Sequence, residues 1–259
     1  MKLGSILKTV EKEMNSVYSI IEKQLMIRGG HVGAFAHLEF SCMDKTIRPA
    51  LVILSARIYD RNPEKALPLA CVFQFIFMAS KVHEGISEED SDYIRGDSDP
   101  RDGSQFPVLV GDYLYGKFFS FLCKAGIVEL LNPIAEIICQ IHEGGILKKR
   151  VCGQSPTSLA FREVVRKETA GLFAGCCAFG ARLAGAPEKD QELMRRFGQN
   201  LGMAYGLLQE GVSLEYVTVF LKEALANLSQ VPDRSEKNIL EQVIRNLSRN
   251  GLKSRRMVI

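Results

Sequence analysis

From Pro68 to Ser80 the chain runs Pro-Leu-Ala-Cys-Val-Phe-Gln-Phe-Ile-Phe-Met-Ala-Ser, with no charge and a single amide in its middle. A run of this length is too short for a bilayer span and reads as a helix buried on every side, whose last turn is delivered to a cavity. That turn, Ala79-Ser-Lys-Val-His-Glu-Gly-Ile-Ser-Glu-Glu-Asp90, becomes abruptly polar and acidic. Its acidic end needs either a ligand or a solvent face.

The rest of the chain repeats the helical period around this segment. Leu3, Ile6, Leu7, Val10, Met14, Val17 and Ile21 recur at three- and four-residue steps, predicting an amphipathic opening helix that ends near Gly29-Gly30. Arg48-Pro49 is expected to open a second helix reaching Tyr59, with Leu51-Val-Ile-Leu54 buried all round. Further helices are expected over 64–84, 106–124, 127–149, 158–186, 191–214, 215–228 and 235–250, with a loop from Asp90 to Gln105. In the 158–186 helix Gly171, Ala174, Gly175, Ala178, Gly180, Ala181 and Ala184 crowd together; small residues either let helices approach or leave room for a ligand. No strand-like alternation of useful length and no repeat is present, so the expected architecture is one all-α helical bundle, a single domain over residues 1–259.

Charge and cysteine usage narrow the function classes. The 259 residues carry a net charge of only +3, with basic clusters confined to Lys148-Lys-Arg150 and Lys253-Ser-Arg-Arg256, so no nucleic-acid partner is expected. The seven cysteines form an odd set without CxxC pairs, which fits a reducing cytoplasm. Met1-Lys-Leu-Gly-Ser5 leads into amphipathic sequence, not an apolar leader core, so neither secretion nor a membrane span is expected.

Several short segments, in order, resemble the trans-isoprenyl diphosphate synthases. They are Asp44-Lys-Thr-Ile-Arg-Pro49, Ala79-Ser-Lys-Val-His-Glu-Gly85, Val110-Gly-Asp-Tyr-Leu114, Glu168-Thr-Ala-Gly-Leu-Phe173, Gly180-Ala-Arg-Leu-Ala-Gly185 and Phe197-Gly-Gln-Asn-Leu-Gly202. The resemblance implies the isoprenoid synthase fold and a reaction joining isopentenyl diphosphate to an allylic diphosphate. That chemistry requires magnesium ions, held by two facing DDxxD motifs, to draw charge from the leaving pyrophosphate. It also assigns Lys45, Arg48 and Arg95 to substrate diphosphates.

The same resemblance exposes departures at the chemistry positions. The first motif reads Glu84-Gly-Ile-Ser-Glu88 and the second Gln209-Glu-Gly-Val-Ser213, leaving Glu84, Glu88 and Glu210 as candidate metal ligands. Glu84 and Glu88 stand four apart, so they either bridge one ion or form a solvated helix end. His83 beside them reads as structural. Phe77 falls where the family places a histidine, Ile94 where it places an arginine, and Glu168 where it places a lysine. After Ser213 the chain passes directly into closing helices, implying a shortened C-terminal part and active-site lid. Surviving scaffold segments and altered chemistry together imply a noncatalytic or regulatory subunit, a homodimer or heterodimer with an intact prenyl diphosphate synthase. The opening helix and Phe118, Phe119, Phe121 and Leu122 offer a partner face, or else plain core. The alternatives are an active divergent prenyltransferase using Mg2+, and an isoprenoid- or lipid-binding protein whose pocket lies among the former tail helices.

Overall fold

The apolar run becomes the central helix. The structure, a computed structural model, describes residues 6–36, 39–61, 63–86 and 105–250. A 3-10 turn, Lys8–Val10, leads into α1, Glu11–Leu25, and a two-residue hairpin pairs β1, Met26–Ile27, with β2, Gly30–His31. Then follow α2, Cys42–Arg57; α3, Ala66–Glu84; α4, Gln105–Lys124; and α5, Leu131–Arg150. Next come α6, Leu159–Val165; α7, Gly171–Leu183; α8, Glu188–Gln209; α9, Leu214–Ser229; and α10, Ser235–Asn250. Helix α3 is long and apolar enough to cross a membrane by length and composition, yet it lies in the core, flanked by α2, α4 and α7. Phe73, Phe75 and Phe77 leave it in different directions, toward Phe179, Phe121 and Phe40. One apolar core runs through the described helices from Ile6 to Leu247.

Helix boundaries differ from the sequence reading at three places, each for a local reason. Helix α1 stops at Leu25, because Met26 turns to extended backbone and the hairpin takes over, with Gly30 at φ 118°. Helix α2 starts at Cys42, not at Arg48-Pro49: Ser41 caps it by accepting the Asp44 N–H, and Pro49 sits inside the helix. The helix expected to reach Leu214 ends at Gln209. There Gly211, at φ 78°, closes a Schellman turn in which the Val212 N–H donates to Leu207 O and the Gly211 N–H to Leu208 O. Ser213 then caps α9.

Two further expectations resolve in the packing. Leu51, Val52, Ile53 and Leu54 are all buried, so α2 is apolar all round because it is enclosed. Of the aromatic cluster on α4, Phe118 and Leu122 are core, Phe121 packs on Phe75, and Phe119 alone stays exposed. The buried face of α1 is likewise part of the core.

Small residues bring helices together and do not leave a hole. Gly198, Gly202 and Gly206 repeat at four-residue steps along α8 and lie on α7 and the turn before it. A Cβ there would stand 2.4 Å from Phe173 O, 2.6 Å from Ala170 Cα and 2.6 Å from Val165 Cγ1. Gly180 meets the α2 backbone in the same way, 2.6 Å from Val52 O. Gly202→Ala should therefore cost about 1–3 kcal/mol by overpacking. Gly116→Ala, at an exposed position of α4 where a Cβ meets nothing within 4 Å, should stabilise by roughly 0.5–1 kcal/mol. Urea unfolding of the two variants should move in opposite directions.

Candidate functional site

Helix ends converge on one point. Between α6 and α7 the helix widens into a π segment, Arg166–Ala170, which adds a residue to the turn and carries Glu168. Gly144 on α5 admits this segment, since a Cβ there would lie 2.8 Å from Glu168 Cγ. One turn further along α5, Lys148 extends its ammonium between three carboxylates. Glu84, the last residue of α3, lies at 2.9 Å; Glu168 and Glu210, the latter capping α8, lie at 3.5 Å. Lys81 holds the other Glu84 oxygen.

These contacts set the titration of the site. Burial alone would raise the Glu84 carboxyl, but Lys81 and Lys148 outweigh it and hold it below the ordinary value. Glu168 is only 13% exposed, and its burial, with Glu84 nearby, raises its carboxyl despite Lys148. Burial opposes the Lys148 charge, yet Glu84, Glu168 and Glu210 push its pKa above that of an ordinary lysine.

A second polar hub lies on the neighbouring helix ends. Asp44 Oδ1 accepts the Tyr205 hydroxyl at 3.0 Å and the Gln209 amide at 3.5 Å, while Oδ2 accepts Ser41 Oγ at 2.6 Å. Its main-chain oxygen accepts Gln74 Nε2 and Arg48 Nη1. Arg48 is 3% exposed, with its guanidinium carbon 3.4 Å from the centre of the Phe77 ring and 5.4 Å from that of Phe173. Above Phe77 is a cavity of about 360 Å³ lined by Phe40, Asp44, Phe77, Lys81, Val82 and Gln209 among others.

The predicted site residues thus separate. Glu84 and Glu210 meet at Lys148, Arg48 is enclosed beneath Phe77, and Lys45 is exposed at the start of α2. Glu88 and Arg95, with Ile94, lie outside the described residues. His83 packs on the Gly111 backbone, 3.4 Å from Val108 O and 3.6 Å from Asp112; a Cβ at Gly111 would overlap its ring. That contact ties two of the recognised segments together. Lys167 turns to Glu143 at 2.7 Å, away from the Lys148 cluster.

Sequence reading missed Lys148, Asp44 and Tyr205 as members of the site. Lys148 looked like part of a local basic cluster, Lys148-Lys-Arg150, and its one signal is the pair of glycines, Gly144-Gly145, a turn before it. Gly211 and Ser213, read as lost motif positions, are helix punctuation.

The bundle has the isoprenoid synthase fold of the solved structures on which it superposes. The sequence matches the polyprenyl synthetase family over residues 35–209, and the chain belongs to that family. It is 27% identical over 214 residues to heptaprenyl diphosphate synthase component 2 of Geobacillus stearothermophilus, covering 81% of this chain and 66% of that one. The chain therefore spans just under two thirds of the length of that relative. Among solved structures, the polyprenyl synthase of Caulobacter crescentus, complexed with calcium and isoprenyl diphosphate, superposes with a TM-score of 0.79 at 19% identity, covering 95% of this chain and 97% of that one. A deletion mutant of the heterotetrameric geranyl pyrophosphate synthase of mint superposes with a TM-score of 0.68 at 18% identity, covering 90% and 97%.

Of the candidate ligands for the divalent ions that the family resemblance implies, Glu88 lies outside the described residues, and the described donors do not form an open oxygen site. A hard divalent cation needs a shell of free oxygens, whereas Glu84, Glu168 and Glu210 surround an ammonium. Among the described residues no group of three or more His, Cys, Asp or Glu side chains is placed to hold a metal.

The opposite shifts of the two glutamates give a pH test. Glu84, held low, contributes stability that is present above its unfolded pKa and lost as pH falls through the folded one. Glu168, held high, disfavours folding when ionised, and that penalty disappears as it takes up its proton. Glu168→Gln should raise the urea midpoint at neutral pH, with the gain vanishing below the ordinary glutamate pKa of about 4.3.

Proposed function

We propose that this chain is a noncatalytic or regulatory subunit of a hetero-oligomeric prenyl diphosphate synthase. The observation that carries this reading is the commitment of two of the site's cations, Arg48 and Lys148. Arg48 lies under Phe77, and Lys148 is ringed by carboxylates, so neither turns free positive charge toward the cavity. Ionising an allylic diphosphate needs concentrated positive charge on the leaving group. The cavity lining instead offers Glu39 and Asp44 beside Lys81, itself paired with Glu84.

A partner needs an apolar face. Leu109 and Phe119 on α4 are 64% and 49% exposed, and Ile146 on α5 is 58% exposed. We place the intact synthase, or a second copy in a homodimer, on the exposed side chains of α4, Leu109 and Phe119. The Geobacillus relative is by name one component of its synthase, and the mint neighbour is by title heterotetrameric, which supports assembly as the role. Within this reading the 259 residues act as one domain. All seven cysteines are free thiols, which suits a cytoplasmic setting.

Turnover decides between the readings. The isolated chain, given Mg2+, isopentenyl diphosphate and an allylic diphosphate, should form no product. Added to an intact prenyl diphosphate synthase from the same genome, it should co-purify and change rate or product length. Leu109→Glu with Phe119→Glu should weaken that association about tenfold or more. Robust turnover by the isolated chain, abolished by Glu84→Gln, would overturn the proposal in favour of an active divergent prenyltransferase.

A further inference from the structure

We propose that Lys148 is a tethered replacement for a divalent cation: its ammonium holds together carboxylates from two helix ends and the π segment, so this end of the bundle keeps its geometry without an ion and admits none while the lysine is in place. The inference rests on the contacts of Lys148 and on the chemistry of its partners, not on the subunit reading.

Three features of the cluster carry it. First, Glu84, Glu168 and Glu210 come from α3, the π segment and the end of α8, elements far apart in sequence, and like charges brought this close repel unless a cation lies between them. Second, an ammonium has three N–H donors and no acceptor, and here three carboxylates face it. The bonds to Glu84 and Glu168 meet hydrogen-bond geometry, and Glu210 completes the ring as an ion pair. Third, the approach is built in: Gly144 lets the π segment close on α5 one turn before Lys148, which puts Glu168 within reach.

The consequence is exclusion. A divalent ion entering the cluster would have to displace Lys148 and give up waters for the same carboxylates, and Lys81, paired with the other oxygen of Glu84, adds a second positive charge beside it. Without the lysine, the three carboxylates keep no counter-ion beyond Lys81 and, since as they stand no three described side chains are placed to hold a metal, they must draw together to serve as hard oxygen ligands. Lys148→Gln should therefore expose a binding site for a hard divalent cation.

Mn2+ is a suitable probe, because free Mn2+ is read directly by electron paramagnetic resonance. The full chain and its Lys148→Gln variant would be titrated with MnCl2, with thermal unfolding followed at ionic strength matched by KCl. The wild type should bind no stoichiometric Mn2+ and keep its unfolding midpoint. Lys148→Gln should bind one ion with Kd in the range of about 10⁻⁴–10⁻³ M expected of weak oxygen sites, and its midpoint should rise with Mn2+. Adding Glu168→Gln to that variant should weaken binding by about tenfold or more, since affinity follows ligand charge. If Lys148→Gln folds poorly on its own, its refolding yield becomes the readout, and rescue by Mn2+ but not by KCl supports the proposal. One Mn2+ bound by the wild type and lost in Glu84→Gln would overturn it. So would a Lys148→Gln protein that neither binds Mn2+ at about 10 mM, tenfold above the weakest expected Kd, nor is rescued by it. Turnover by the isolated wild type would overturn the subunit reading and leave this one standing, so the two failures are distinguishable.

Discussion

The contact between α8 and the helix formed by α6, the π segment and α7 is the constraint from which the site follows. Gly198, Gly202 and Gly206 bring α8 onto the backbone of its neighbour, so close that added carbons would overlap Phe173, Ala170 and Val165. Dispersion and apolar burial are strongest where such a seam leaves no gap. With α8 fixed in this way, its last turn has no freedom of placement. Tyr205 and Gln209 must then reach Asp44 at the start of α2, and Glu210 must face the end of α5.

Charge is arranged around that fixed geometry. The π segment turns Glu168 toward α5 and Lys167 away from it, toward Glu143. A carboxylate so little exposed is costly unless a cation meets it. Lys148 is that cation, and the same ammonium serves Glu84 and Glu210. Meanwhile Phe77 covers the Arg48 guanidinium with its ring face. Lys148 and Arg48 are thus neutralised in different ways, one by ion pairing and one by burial against aromatic surface.

How much of this was legible in the sequence depended on the range of the signal. The buried helix α3 and enclosed segment Leu51–Leu54 were readable, because an apolar run without charge has few places to go. Segment order was enough to indicate the family and the fold. The helix starting at Cys42 was not read, because Ser41 is one of many polar residues there and Pro49 drew the boundary toward itself. Gly211 and Ser213 were read as absences although they carry the chemistry of a helix stop and a helix start. Lys148 could not be found by pattern at all: its partners lie 64, 20 and 62 positions away, and only the fold brings them together.

A tethered ammonium and a diffusible ion are not equivalent even where they neutralise the same carboxylates. A divalent ion keeps open coordination positions, through which it binds phosphate oxygens and water while still held by the protein. Lys148 has three donors, two of them hydrogen-bonded to Glu84 and Glu168, and its charge is further paired with Glu210. Its charge is engaged within the fold, where it links the ends of α3 and α8 and the π segment to α5. Within the proposed reading, this is why the scaffold persists at full packing density while the capacity to ionise a diphosphate does not. The glycine seam and the apolar core fix where the helices end, and what those ends do depends on whether the cation among them belongs to the chain or comes from solution.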